Sequence, residues 1–221
     1  GPNIAAFGHQ ALYSNVSNGN VAAFGWKALY ASTADYNSAF GASSLQSNTT
    51  GASNSSFGQG GLYLNTTGSY NTAVGQSALF SNTTASNNTA VGYQAAYTNQ
   101  TGTRITAIGG LALQYSTVSD LTAVGYGALN QNTTGAYNTA VGGYDSTTVS
   151  SMLYNTTGSY NTALGAGSLG KNTTASYNTA VGYQTLLANT TSGNNTAIGA
   201  YAGNANYTGV NNSYLGFGAG A

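Results

Sequence analysis

Asn71-Thr72-Ala73-Val74-Gly75 opens a stretch that continues Gln76-Ser77-Ala78-Leu79-Phe80-Ser81-Asn82-Thr83-Thr84-Ala85-Ser86-Asn87 and then starts again with Asn88-Thr89-Ala90-Val91-Gly92. The same five-residue block recurs along the whole chain. Its closing glycines are Gly8, Gly25, Gly41, Gly58, Gly75, Gly92, Gly109, Gly125, Gly142, Gly165, Gly182, Gly199 and Gly216. Nine of the twelve intervals are 17 residues, two are 16, and the step from Gly142 to Gly165 is 23, so the phase survives one insertion. Residues 1–221 therefore read as a single repeat array with an inserted loop at 143–150.

Aligned on that glycine, the chain falls into columns. The residue before it is always apolar: Phe7, Phe24, Phe40, Phe57, Val74, Val91, Ile108, Val124, Val141, Leu164, Val181, Ile198 and Leu215. Four residues after it stands a leucine column that includes Leu79, Leu113, Leu129, Leus at 169 and 186 (Leu169, Leu186), usually preceded by a small residue. Two apolar columns per unit imply two walls around a core, with both columns expected to point inward. Seven residues after the glycine comes an asparagine column, Asn48, Asn65, Asn82, Asn99, Asn132, Asn172 and Asn189 among others, usually followed by Thr-Thr and then Gly or Ala. This reads as a corner.

Helical repeats need about 33 residues or more per unit, and the chain is rich in Gly, Asn, Thr and Val but poor in strong helix formers. Parallel β coils fit instead. Each short strand pairs with its equivalent one coil on, so identical side chains stack about 4.8 Å apart, and stacked asparagines can bond to each other and to the turn backbone. The expected fold is all-β, a parallel β-solenoid or β-roll of about 13 coils with a 17-residue repeat.

Coupled departures support stacking. The asparagine that opens the block is lost in neighbouring units, as Ile105 and Leu121, and the residues just before them are Arg104 and Asp120. Adjacent coils would set these opposite charges together as an inter-coil ion pair. That same column carries Tyr36, Tyr70, Tyr137, Tyr160 and Tyr177, which could form a partial aromatic ladder.

Composition bounds the function. The 221 residues hold three Lys or Arg, three Asp or Glu and one His, so the surface must be clothed by Asn, Thr, Ser and Tyr. Three cations cannot supply the basic footprint a nucleic-acid partner requires. Cysteine is absent, which removes disulfides and thiolate metal sites. No apolar run approaches the roughly 18 residues of a membrane span. His9 is the sole histidine and Asp35, Asp120 and Asp145 lie in separate units, so no catalytic triad, carboxylate pair or repeated calcium site is suggested, and neither an enzyme nor a cofactor is expected.

Recognition residues are sought on the surface. The position after the glycine carries Trp26, Tyr93, Tyr126 and Tyr183, and aromatic faces beside amides are how proteins hold sugars; the competing role is packing between coils or chains. Loops on regular scaffolds concentrate function, which singles out Tyr144 and Asp145 in the insertion, expected to protrude. Sequons such as Asn48-Thr49-Thr50 and Asn65-Thr66-Thr67 recur, although any Asn-Thr-Thr corner creates one.

Asn-Thr-Ala-Val-Gly followed by Ala-Leu and Asn-Thr-Thr-Gly resembles the head repeats of trimeric autotransporter adhesins, and equally repeats in tail-fibre proteins of phages and related bacterial sequences. The closest blocks are Asn71 to Gly75, Asn88 to Gly92 and Asn195 to Gly199. In the adhesin heads a shorter repeat containing Asn-Ser-x-Ala-Ile-Gly forms a left-handed parallel β-roll, three of which associate and bind extracellular matrix or cell surfaces. The resemblance implies a left-handed coil, a parallel homotrimer, and a place outside the cell, at its surface or on a virion fibre. The leading expectation is an adhesive fibre module for a cell-surface glycan or protein. The alternatives are a filament subunit stacking end to end through open β edges, and an ice-binding protein. The last is suggested by a one-per-coil threonine column, Thr72 to Thr196, and weakened because these threonines share a strand face with the valine column read as core.

Overall fold

The computed structural model describes residues 3–15, 19–144 and 148–220. Asp145 lies outside the described residues. Among the described residues thirteen short strands follow one another: β1 (Ile4–Phe7), β2 (Val21–Phe24), β3 (Ser38–Phe40), β4 (Ser55–Phe57), β5 (Thr72–Val74), β6 (Thr89–Val91), β7 (Ile105–Ile108), β8 (Leu121–Val124), β9 (Thr139–Val141), β10 (Thr162–Leu164), β11 (Thr179–Val181), β12 (Thr196–Ile198) and β13 (Ser213–Leu215). No helix forms among the described residues. The chain divides into two compact units, Gly1–Ile105 and Thr106–Ala221, with the division inside β7.

In the first unit β1 to β6 pair in parallel and in chain order, with column partners opposite one another: Phe24 faces Phe40, Phe40 faces Phe57, Phe57 faces Val74 and Val74 faces Val91. The second unit repeats this from β8 to β13, where Val124, Val141, Leu164, Val181, Ile198 and Leu215 succeed one another. Each unit is a parallel β-solenoid. Coil-to-coil bonding continues beyond the strands, since Leu62 N–H donates to the Ala78 carbonyl (3.0 Å) and Thr66 N–H to the Thr83 carbonyl (2.8 Å).

The strands are short because left-handed residues interrupt them. After each strand comes the repeat glycine, at φ +127° for Gly75, where an added Cβ would stand 2.6 Å from the Gly92 carbonyl oxygen one coil on. Only glycine fits there. Ser77 and Leu79 follow at φ 57° and 50°. A left-handed leucine costs roughly 1–2 kcal/mol, while burying its side chain contributes about 1.5–3 kcal/mol. Burial therefore carries the turn, and Leu79, Leu113, Leu129, Leu169 and Leu186 are all fully buried.

The other expected core column is on the outside. Val74, Ile108, Val141, Leu164 and Ile198 are 36–43% exposed, and Val91, Val124 and Val181 are half-buried. The inner face of each strand carries instead the alanine one residue earlier, with Ala73, Ala90, Ala107, Ala123, Ala140, Ala163, Ala180 and Ala197 all at 0% exposure. Strand alternation explains the correction. The opening asparagine and the alanine share one face and the threonine and valine share the other, and the asparagine has its partners inside the coil. Between the strand wall and the leucine wall there is room for a methyl group.

The insertion only partly departs from its coil. Tyr144 N–H donates to the Tyr126 carbonyl (3.3 Å), Ser150 Oγ to the same oxygen (2.6 Å), and Ser151 N–H to the Gly142 carbonyl (3.0 Å). The returning residues Thr148 and Ser150 are buried, and Thr148 and Val149 lie where Cβ atoms on Gly167 and Gly170 would be. Gly170 occupies the position filled by Tyr63, Phe80 and Tyr97 in other coils, so a missing side chain in one coil makes room for the insertion of the coil before. The expectation of a freely protruding loop holds for none of residues 148–150.

Candidate functional site

The interior is built from two asparagine ladders. At the corner, Asn65 Nδ2–H donates to Asn48 Oδ1 (2.7 Å) and to the Gly68 carbonyl (2.9 Å); Asn82 repeats this toward Asn65 (2.7 Å) and Ala85 (3.0 Å). In the second unit Asn155 bonds Asn132 (2.7 Å) and Asn172 bonds Asn155 (2.6 Å). Asn155 belongs to the ladder although the insertion moves it out of the fixed count from Gly142. Asn99 and Asn189 continue the two series, at 3.3 Å to Asn82 and 3.5 Å to Asn172.

The second ladder is formed by the opening asparagines, which sequence reasoning used as a phase marker and missed as a site. Asn54 N–H donates to Asn37 Oδ1 (2.9 Å), Asn71 N–H to Asn54 Oδ1 (3.0 Å) and Asn88 N–H to Asn71 Oδ1 (3.0 Å). Their amides reach across to the corner, so the Gly68 carbonyl accepts from Asn54 (2.8 Å) as well as from Asn65. Ile105 and Leu121 fill the opening position with buried apolar side chains. Arg104 and Asp120, in equivalent left-handed positions before β7 and β8, belong to different units.

Function must then come from the outer surface, which offers three arrays. The outward strand face sets threonine beside a β-branched or leucine residue in register, as in Thr139, Thr162 and Thr179 beside Val141, Leu164 and Val181; in the first unit it becomes a stack of Phe24, Phe40 and Phe57 with ring centroids 4.8 and 4.9 Å apart. At the corner before the strand, Tyr137, Tyr160 and Tyr177 stack at 4.9 and 5.0 Å, all half exposed or more. A third stack, Tyr63, Phe80 and Tyr97, follows the leucine column.

Stacking decides what these rings can hold. In a face-to-face ladder the π-faces cover one another and only edges and hydroxyls are displayed, so a sugar ring has no face to lie on. Of the expected recognition residues, Tyr93 and Tyr126 are 51% and 54% exposed, and Tyr144 is exposed at the start of the insertion. Trp26 is exposed with the Lys27 ammonium 4.7 Å from its ring, and Tyr183 meets Tyr201 edge-on at 5.4 Å.

The charged side chains are scattered. Asp35 is occupied in a corner, where its carboxylate accepts from Gly19 N–H (2.8 Å). Among the described residues there is no group of three or more His, Asp or Glu that could hold a metal ion, and no helix long and apolar enough to cross a membrane. The chain matches no family model, no curated protein and no solved structure.

Proposed function

We propose that the chain is a structural and adhesive module of an extracellular fibre, which presents a stiff, nearly uncharged surface to a cell-surface glycan or protein. The observation that supports this best is the repeated display of exposed aromatic rings among amides and hydroxyls on a backbone bonded coil to coil. Tyr93, Tyr126 and Trp26 are the residues assigned to contact. Their partner is uncharged or nearly so, because the surface has almost no charge with which to choose a charged one. The outward Phe and Val column is covered by other copies of the chain, in the left-handed, parallel, three-chain arrangement that the adhesin resemblance implies, since a long exposed apolar stripe marks an interaction surface. Glycan-array and cell-binding measurements on the wild type and on Tyr93→Ala/Tyr126→Ala test the assignment. Binding that survives the double substitution unchanged would sink it.

A second reading rests on one specific observation. The threonine column shares its face with the valine column, and that face is the outer one, so the ground for discounting ice binding is gone. A neutral, in-register lattice of hydroxyl and methyl groups, spaced about 4.8 Å between strands, suits an ordered water surface. The two readings compete for one face. Light scattering together with thermal hysteresis separates them: a trimer without hysteresis supports the fibre module, a monomer with hysteresis supports ice binding, and micrometre filaments by electron microscopy support end-to-end assembly.

A further inference from the structure

Seven corners of the chain, from Asn48 to Asn189, carry Asn-Thr-Thr, and each satisfies the acceptor sequence for N-linked glycosylation. Glycan transfer forms a bond between the anomeric carbon of a lipid-linked oligosaccharide and the asparagine Nδ2. The anomeric carbon–oxygen bond to the lipid pyrophosphate breaks, and Nδ2 gives up one proton. The product is a secondary amide with a single N–H and a sugar attached.

Those corner nitrogens have neither a proton nor space to give. Asn65 and Asn155 have 0% exposure, and each uses both amide protons, Asn65 toward Asn48 and Gly68, Asn155 toward Asn132 (2.7 Å) and Gly158 (2.9 Å). A glycan on either would remove one rung of the ladder and place a pyranose inside a core whose strand wall beside these corners carries only alanine and serine, as Ser56, Ala73, Ala140 and Ala163. The sequons at Asn54, Asn99 and Asn206 also begin on buried asparagines, whereas three others face outward. Asn87-Asn88-Thr89, Asn194-Asn195-Thr196 and Asn211-Asn212-Ser213 begin on exposed, left-handed asparagines.

We infer that glycosylation of the Asn-Thr-Thr corners and formation of the solenoid exclude one another, and that Asn87, Asn194 and Asn211 are acceptors compatible with the fold. The exclusion holds whatever the outer surface binds. Its consequence for export rests on the extracellular reading above: glycan transfer meets a chain before it folds, so this chain reaches the outside by a route without that enzyme.

The test is secretion of the chain from cultured insect cells, with and without an inhibitor of lipid-linked oligosaccharide synthesis, followed by protease challenge and glycopeptide mass spectrometry. A second chain removes the acceptor signal from every sequon that begins on a buried asparagine and leaves each ladder asparagine in place: the exposed third residue becomes alanine at the corners, Thr67→Ala and its counterparts together with Thr101→Ala and Thr208→Ala, and Ser56→Ala does the same for Asn54. The expected result is a protease-resistant product from the inhibited cells and from the alanine chain. In untreated cells the corner-glycosylated wild type is protease-sensitive, and any resistant fraction carries its sugar on outward acceptors such as Asn87, Asn194 and Asn211 and none at a corner. A resistant product with glycan on Asn65 or Asn155 overturns the inference, and so does protease sensitivity of both the unglycosylated wild type from inhibited cells and the alanine chain.

Discussion

Asn65 Nδ2 lies 2.7 Å from the side-chain oxygen of Asn48, one coil before it, and 2.9 Å from the carbonyl of Gly68 in its own corner, while its own Oδ1 accepts from Asn82 at 2.7 Å. One side chain thus closes a corner and joins three coils. The arrangement is polar, fully buried and satisfied, which is the condition under which a buried polar network stabilises rather than costs.

Asn65→Ala breaks three of these bonds at once. Gly68 keeps its second donor, Asn54, so the loss falls on the side chains of Asn48 and Asn82 and on the space left behind. A cost of about 2–3 kcal/mol is expected, measured as a fall in the urea midpoint. Asn65→Asp adds a pH dependence. Burial among acceptors raises the folded carboxyl above its unfolded value of about 4, so this variant is most stable below that pH and loses stability as the pH rises toward the folded value. A variant equally stable at acid and neutral pH would contradict the ladder.

The repeat glycines are separable from ordinary turn glycines. At Gly75 the backbone is at φ +127° and an added Cβ meets the Gly92 carbonyl oxygen at 2.6 Å; at Gly60 φ is +66° and the nearest atom to an added Cβ is a Phe80 ring carbon at 3.5 Å. Gly75→Ala is expected to cost about 3 kcal/mol or more and Gly60→Ala roughly 1–2 kcal/mol. Equal costs in chemical denaturation would mean the coils are not packed backbone to backbone at that column.

Corner length and corner residue are matched. Of the described 16-residue coils, the one between Gly25 and Gly41 has Ser32 and the one between Gly109 and Gly125 has Ser116 where others have asparagine. Asn48 spans three residues to reach the Gly51 carbonyl (2.8 Å), whereas Ser32 Oγ accepts from Ala34 N–H only two residues on (3.4 Å). A shorter side chain closes a shorter turn. Ser32→Asn should therefore cost about 1–3 kcal/mol by overpacking, and inserting one residue between Thr33 and Ala34 should recover much of it, read as paired shifts in thermal midpoint.

How much of this was legible follows from what a column can reveal. The glycine phase located the strands, the leucine wall and the corner ladder, because each has one residue type with one geometric requirement. The valine column misleads because bulk and hydrophobicity ordinarily mean interior, and in so narrow a coil they mean the opposite. The informative signal is near-uniformity: this position is alanine in every coil but those of Ser56 and Tyr214, while the next residue ranges over Phe, Val, Ile and Leu as only an unconfined position can. The parity of the opening asparagine with the alanine gave the same answer. For the outer face, the sequence gives the side chains on show, but what covers them depends on a second surface that lies outside the chain's own pattern.

Ser56 and Gly61 give the sharpest test of interior space. In the next coil the corresponding residues are Ala73 and Ala78, both fully buried. Ser56 stands in the alanine column with its hydroxyl buried and unpartnered, and a Cβ on Gly61 would collide with that Oγ. The glycine is there to make room for the hydroxyl. Ser56→Ala removes an unsatisfied buried polar group and should stabilise by about 1 kcal/mol. Gly61→Ala alone is expected to destabilise, because it drives a methyl group into Oγ; combined with Ser56→Ala it becomes favourable by roughly 0.4–1 kcal/mol, as for any alanine that replaces glycine without strain. The signature is a change of sign for the same substitution between two backgrounds, which additive effects cannot produce. Urea denaturation of the wild type, both single variants and the double variant measures it, and a Gly61→Ala effect of the same sign in both backgrounds would show that the two side chains do not share one space.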